Sequence, residues 1–319
     1  MTTLSLPNLL PLEPQYRERV WGGQKLREAD PPIGEAWIAF EDSRVKSGTL
    51  AGRTVADITR DHARHVLGTA VAERYGTRFP LLIKLLDCAD WLSVQVHPND
   101  EQASRLVGPG HFGKTEAWHF LEVDAEATIL AGVKPGTTRE ELARAIRSGR
   151  VLDVAARQAV SAGESVFIPA GTLHALGPGM LLYEVQQVSD TTYRVYDWDR
   201  PASAGRQLHI EESVEVTNPT MSPGVAPAPS IPGTGAAVTV TSEYFELEVV
   251  QLRGDVLTSS TEDRSAHVLT LVDGEAGVSS GSEDIRLGRF DSVIVAGGAG
   301  EYVIRASGSS ARLLRARVP

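Results

Sequence analysis

The chain has 319 residues, of which 42% are hydrophobic and 23% charged, enough for two domains and typical of a folded soluble protein. Its 41 Asp and Glu outnumber 31 Lys and Arg, and a net charge of −10 argues against the basic face that nucleic acid or an anionic membrane requires. An anionic substrate must then be met by a few local cations.

In chain order, the opening Met-Thr-Thr-Leu-Ser-Leu-Pro carries no leader pattern, and no run approaches the ~20 apolar residues of a membrane span. Residues 54–76 interleave apolar and charged positions at helical period. An apolar strand, 81–87, leads into Cys88. As the single cysteine it rules out an internal disulfide and fits a reducing cytoplasm. Its apolar run makes it a buried, inert thiol rather than a nucleophile. The next strand is 91–97, stopped by Pro98, and Asn99 is a plausible N-cap for a short helix. Strands follow at 115–123 and 127–131. Thr137-Thr-Arg-Glu140 opens a helix with a capping-box pattern, closed at Gly149. Further strands are expected at 164–168, 181–188 and 192–198.

Residues 218–235 are rich in Pro, Gly and Ser and read as a linker. All five tryptophans precede it, and only one histidine, His267, follows. Beyond it lie short strands at 238–241, 245–252, 266–272, 277–279, 292–295, 302–305 and 311–318. Many short strands without βαβ alternation argue for a mainly β protein, an antiparallel barrel or jelly roll. The expected organisation is a domain over 1–217 with helical segments, a linker at 218–236, and a smaller β-sandwich at 237–319, structural and metal-free.

Alternation along strands singles out one constellation. In Trp91-Leu-Ser-Val-Gln-Val-His97, every second side chain shares a face, which aligns Ser93, Gln95 and His97. Lys114 and Glu116 repeat that spacing, and Ile168-Pro-Ala-Gly-Thr-Leu-His174 sets a histidine beyond a turn. Gln95, His97, Glu116 and His174 converging from three strands would form a mixed N/O metal site with open positions. The competing reading is the wet face of a sheet.

Several blocks occur together in one order: Trp21-Gly-Gly, Gly34-Glu-Ala-Trp37, Leu92-Ser-Val-Gln-Val-His-Pro-Asn-Asp100, Gly113-Lys-Thr-Glu-Ala-Trp118, Gly171-Thr-Leu-His-Ala175 and Gln186-Gln-x-Ser-Asp-Thr-Thr-Tyr-Arg194. Over about residues 15–210 the chain resembles the class I mannose-6-phosphate isomerases, the short bacterial form, of the cupin superfamily. The resemblance implies two cupin-type jelly rolls, one zinc ion per chain, and interconversion of mannose 6-phosphate and fructose 6-phosphate. It implies metal ligands at Gln95, His97, Glu116 and His174, an active-site arginine at Arg194 and a substrate-site lysine at Lys114. Ser93 matches a serine that meets phosphate, and Arg200 takes the place of a basic residue six positions after the arginine. The match beyond 236 is weak.

Such an isomerisation moves a proton between C1 and C2 through an enediol. Arg194 shares a strand face with Tyr196 and Trp198, and its permanent charge could hold either the enediolate or the phosphate. A surface arginine is the alternative. Lys114 is a candidate base or a charged substrate contact. Asp190 is a further proton-transfer candidate, and Glu184 one for proton transfer or substrate contact; either could be an ordinary turn or strand residue. Gln is a weak neutral ligand, so the set does not demand zinc alone. Two other functions suit the same features: a metal-dependent isomerase of another aldose or aldose phosphate, and a non-catalytic sugar-binding cupin.

Overall fold

Short apolar segments become strands throughout, and the chain is mainly β. The structure, a computed structural model, describes residues 6–201 and 206–319; residues 1–5, part of the segment read above as lacking a leader, lie outside the described residues. Among the described residues no helix is long and apolar enough to cross a membrane.

The chain divides into two compact units. One comprises residues 6–15, 37–84 and 229–319, the other the described residues of 16–36 and 85–228. This differs from a division into consecutive blocks at 217 and 237, although the last crossing falls inside the expected linker. The reason is long-range pairing. The strand Leu9–Glu13 pairs with Ser292–Val295, Leu9 opposite Val295 and Leu12 opposite Ser292. Nothing local in sequence announces such a partner.

In the first unit, Leu269, Leu271, Val250, Leu313, Tyr302 and Ile304 form the core of a nine-stranded sheet. The expected strands 302–305 and 311–318 are one strand, Glu301–Arg317, and 266–272 and 277–279 are one strand, His267–Ser280. The expected helix 54–76 is two, Val55–Leu67 and Thr69–Tyr75, parted at Gly68. Gly68 has φ +88°, and a Cβ there would lie 2.4 Å from the Arg264 backbone, so only glycine fits.

The second unit contains a five-stranded sheet in the order Tyr193–Tyr196, Val94–Val96, His174–Leu176, Thr128–Val133, Ala155–Ala159. Its other strands include Glu116–Val123, flanked by the antiparallel partners Ser165–Ile168 and Met180–Gln187. Trp118, Phe120, Ile129, Ala131, Leu176, Met180 and Leu182 pack together as one core. The opposite face of the five-stranded sheet, through Val94, Val96, Leu173 and Val195, packs with Leu142, Ile146 and Val216 of the helices Arg139–Arg147 and Ile210–Val216. Both faces are thus covered, which fixes the register of the site strands.

Two local expectations shift. The capping box of Arg139–Arg147 is Thr138 with Glu141, one residue later than expected. The linker is partly built into a sheet, because Val225–Ala226 pairs with Ser165 and Val166, and Gln158 donates to Pro223 O. Asn99 does cap the helix Asp100–Leu106, in a full capping box with Gln102.

Candidate metal centre

Three strands supply the centre. Glu116 begins Glu116–Val123, His174 begins His174–Leu176, and His97 follows Val94–Val96 at the point where Pro98 ends the ladder. His97, Glu116 and His174 are at most 1% exposed, and their ligand atoms lie within 4.8 Å of one another. His97 Nε2 is 3.5 Å from Glu116 Oε2, and His174 Nε2 is 3.3 Å from Glu116 Oε1. Gln95 lies directly across from His174 on one side and Arg194 on the other. Cross-strand partners share a face, so Arg194, Gln95 and His174 form one row.

The imidazoles are oriented by backbone. His97 Nδ1 lies 3.0 Å from Thr191 O, and His174 Nδ1 lies 2.8 Å from Thr172 O. A carbonyl only accepts, so each Nδ1 carries a proton, and a neutral ring so held presents its lone pair at Nε2. Glu116 Oε1 and His174 Nε2 are buried without a hydrogen-bond partner among the described residues. An unsatisfied buried polar atom costs about 1–3 kcal/mol. Two such atoms 3.3 Å apart fit a cation between them. Two imidazoles, a carboxylate and an adjacent amide are a suitable donor set for a divalent metal.

Lys114 Nζ donates to Glu116 Oε2 at 2.6 Å and lies 2.9 Å from His97 Nε2. Burial, then the Lys114 charge, pushes His97 down to about 3, keeping it neutral. Burial alone would raise the Glu116 carboxyl, but Lys114 and the imidazoles overcome this and hold it well below the usual range. The indole of Trp118 stands edge-on to His174, centroids 5.6 Å apart.

The other expected site residues are distributed around this group. Ser93 is buried and lies one residue before Val94–Val96, a strand shorter than the expected 91–97. Arg194 is half-buried; Nη1 donates to Gln207 O at 2.9 Å, and Nε has no hydrogen-bond partner among the described residues. Burial, then Arg206, lowers the Arg194 guanidinium from its ordinary value. Arg200 is engaged elsewhere, bonding Asp197 at 3.1 Å, Asp90 at 2.7 Å and Trp91 O at 2.7 Å. Glu184 is buried and accepts the Trp118 indole N–H at 3.0 Å, so its observed contact is with the ring beside His174. Asp190 is exposed, next to Thr191. Cys88 is buried, and its surroundings raise its thiol well above the ordinary value. Sequence reasoning missed the Thr191 and Thr172 carbonyls and the Trp118 contact. Backbone acceptors leave no residue-type signal.

A mainly antiparallel β fold with two imidazoles and a carboxylate gathered in its interior defines a β protein with a site able to hold a metal ion. A family model described as the phosphomannose isomerase type I catalytic domain matches residues 9–114. The mannose-6-phosphate isomerase ManA of Bacillus subtilis is 34% identical over 313 residues, covering 91% of this chain and 93% of the relative. The mannose-6-phosphate isomerase of Streptococcus mutans is 35% identical over 297 residues, covering 89% and 91%. The crystal structure of the Bacillus subtilis mannose 6-phosphate isomerase superposes with a TM-score of 0.85 at 29% identity, covering 97% of this chain and 99% of that one. The chain belongs to the type I phosphomannose isomerases, enzymes of cupin-type fold.

Proposed function

We propose that this protein interconverts D-mannose 6-phosphate and D-fructose 6-phosphate through an enediol, using one zinc ion held by Gln95, His97, Glu116 and His174. The observation that carries the reading is the pair of unpartnered, mutually facing atoms, Glu116 Oε1 and His174 Nε2, beside the buried Lys114 ammonium. A bound divalent ion supplies Lewis-acid stabilisation of charge on the sugar oxygens.

The chain's own groups do the rest. Lys114 Nζ is the candidate that holds or moves the proton between C1 and C2. Arg194, in one row with Gln95 and His174, presents a fixed positive charge to the enediolate or the phosphate. Ser93 is the proposed phosphate contact. Arg200, its charge shared between Asp197 and Asp90, is the weaker phosphate candidate. Asp190 is retained as an alternative proton carrier. Glu184 accepts the Trp118 indole N–H, and it is kept as a further candidate for proton transfer or substrate contact. These residues fall between 93 and 200, within the portion 1–217 proposed as catalytic.

The test is turnover of mannose 6-phosphate by purified protein, with chelator and with zinc restored. Fructose 6-phosphate should form, cease on chelation and return with zinc, and free mannose should react with a much lower kcat/KM. Comparable kcat/KM for free and phosphorylated sugar would move the reading to another aldose. Sugar binding without turnover would favour the non-catalytic cupin.

A further inference from the structure

The three segments that carry the centre are not joined by strand pairing alone. Lys114 sits in an irregular segment between the helix Asp100–Leu106 and the strand Glu116–Val123. Its ammonium reaches His97 and Glu116 only while that segment is held in place. Two side chains outside the set discussed above meet there. Asp100 Oδ1 accepts from Gly113 N at 2.6 Å and from Gln187 Nε2 at 2.9 Å. Gln187 Oε1 accepts from Thr115 N at 2.9 Å, and Gln187 N donates to Thr115 O at 3.1 Å. The residues on both sides of Lys114 are therefore tied to one amide and one carboxylate.

The same pair reaches His97 from two directions. Asp100 is three residues beyond His97, and Lys114 N donates to Pro98 O at 3.0 Å. Gln187 ends the strand Met180–Gln187, and the turn that follows it carries Thr191, whose carbonyl orients the His97 ring. That turn is also tied to the Lys114 segment by Ser189 Oγ, which donates to Phe112 O at 2.9 Å. Gly113 permits the approach, because a Cβ there would lie 2.6 Å from the Asn99 backbone. Gln187 is 4% exposed, so its bonds are shielded from water and each lost partner matters more.

We propose that Asp100 and Gln187 are positioning residues: their bond locks the Lys114 segment and the Thr191 turn together, fixing Lys114 Nζ and His97 Nε2 relative to Glu116. Their side chains bond Gly113, Thr115 and each other, and they act through these residues and Thr191. The proposal rests on the function above for its activity readout, but not for its metal readout.

The experiment compares Asp100→Ala, Asp100→Asn and Gln187→Leu in the full chain. It measures zinc affinity by competition with a chromophoric chelator, kcat and KM for mannose 6-phosphate, and Tm. Asp100→Ala and Gln187→Leu should each lose about 10- to 100-fold in zinc affinity or in kcat per zinc-loaded molecule, with KM little changed. Asp100→Asn should recover most of the loss, since its Oδ1 still accepts both N–H groups. Should Gln187→Leu fail to fold, Gln187→Glu replaces it, keeping the acceptor for Thr115 and losing the donor to Asp100. A lowered Tm with wild-type zinc affinity and wild-type kcat per loaded molecule would overturn the proposal, leaving the pair a purely structural tie. If the wild type itself fails to turn over mannose 6-phosphate, the functional reading fails, while zinc affinity still decides this one.

Discussion

Two backbone carbonyls determine what His97 and His174 can do. A neutral imidazole has one N–H, and in each ring it is given to a carbonyl, of Thr191 and Thr172. His174 Nε2 then faces Glu116 Oε1, which has no hydrogen-bond partner among the described residues, while His97 Nε2 lies 2.9 Å from Lys114 Nζ. Such partners fix ring orientation and raise ligand basicity. His97→Ala and Glu116→Ala should therefore lose most bound metal on elemental analysis, whereas Arg194→Ala should keep it and lose about 10²-fold or more in kcat, having removed charge stabilisation rather than a ligand. An Arg194→Ala protein of normal turnover would remove Arg194 from the chemistry.

At the scale of elements, the strands His267–Ser280 and Glu301–Arg317 place a buried polar group beside an apolar core. His267 Nδ1 bonds Tyr302 OH at 2.7 Å, and the same hydroxyl accepts from Arg315 at 3.0 Å. Arg315 in turn pairs with Glu248 and donates to Ser259. Burial, then Arg315 and Arg317, pushes His267 down to about 3. The unfolded chain takes up a proton near the ordinary value of 6.5 while the folded chain does not. Stability is therefore lost as pH falls from about 6.5 toward 3, by up to about 1.4 kcal/mol per pH unit for this group. His267→Gln, which can still meet the Tyr302 hydroxyl, should show a smaller fall in urea midpoint between pH 7.5 and pH 5 than the wild type. His97 has the same sign in both proteins, so the difference isolates His267. Equal slopes would show that His267 titrates alike in both states.

For the whole molecule, the discontinuous unit predicts how the chain responds to cutting. Leu9, Leu10 and Leu12 are buried on a strand paired with Ser292–Val295, and Gly68 lies against Arg264 in the same unit. Residues 229–319 alone would lack that strand and expose its partner edge, a template for aggregation. Fragments 1–228 and 229–319 expressed separately should be poorly soluble, and co-expressed they should purify together. A monomeric, cooperatively folding 229–319 fragment would contradict this. Metal should follow the fragment carrying His97, Glu116 and His174 once its partner is present.

Part of the buried group, His97 and Glu116, was legible as a candidate because strand geometry is local. The two-residue spacing of Gln95 with His97, and of Lys114 with Glu116, together with the stop at Pro98, marked a shared surface without any knowledge of partners. The ordered motif blocks carried the family. Cap chemistry was legible to within one residue, at Asn99 and at Thr138 rather than Thr137. Tertiary structure alone decided which unit Leu9–Glu13 joins, that Val225–Ala226 is a paired strand, and that Arg200 is held by Asp90 and Asp197. It also decided that Glu184 bonds Trp118 and that Asp100 and Gln187 meet at the Lys114 segment. The physical reason is the range of the determining interaction. Alternation and capping are written within a few residues, whereas these contacts join residues 59 to 286 positions apart (Val166 to Val225, Leu9 to Val295), apart from short links such as Arg200 to Asp197.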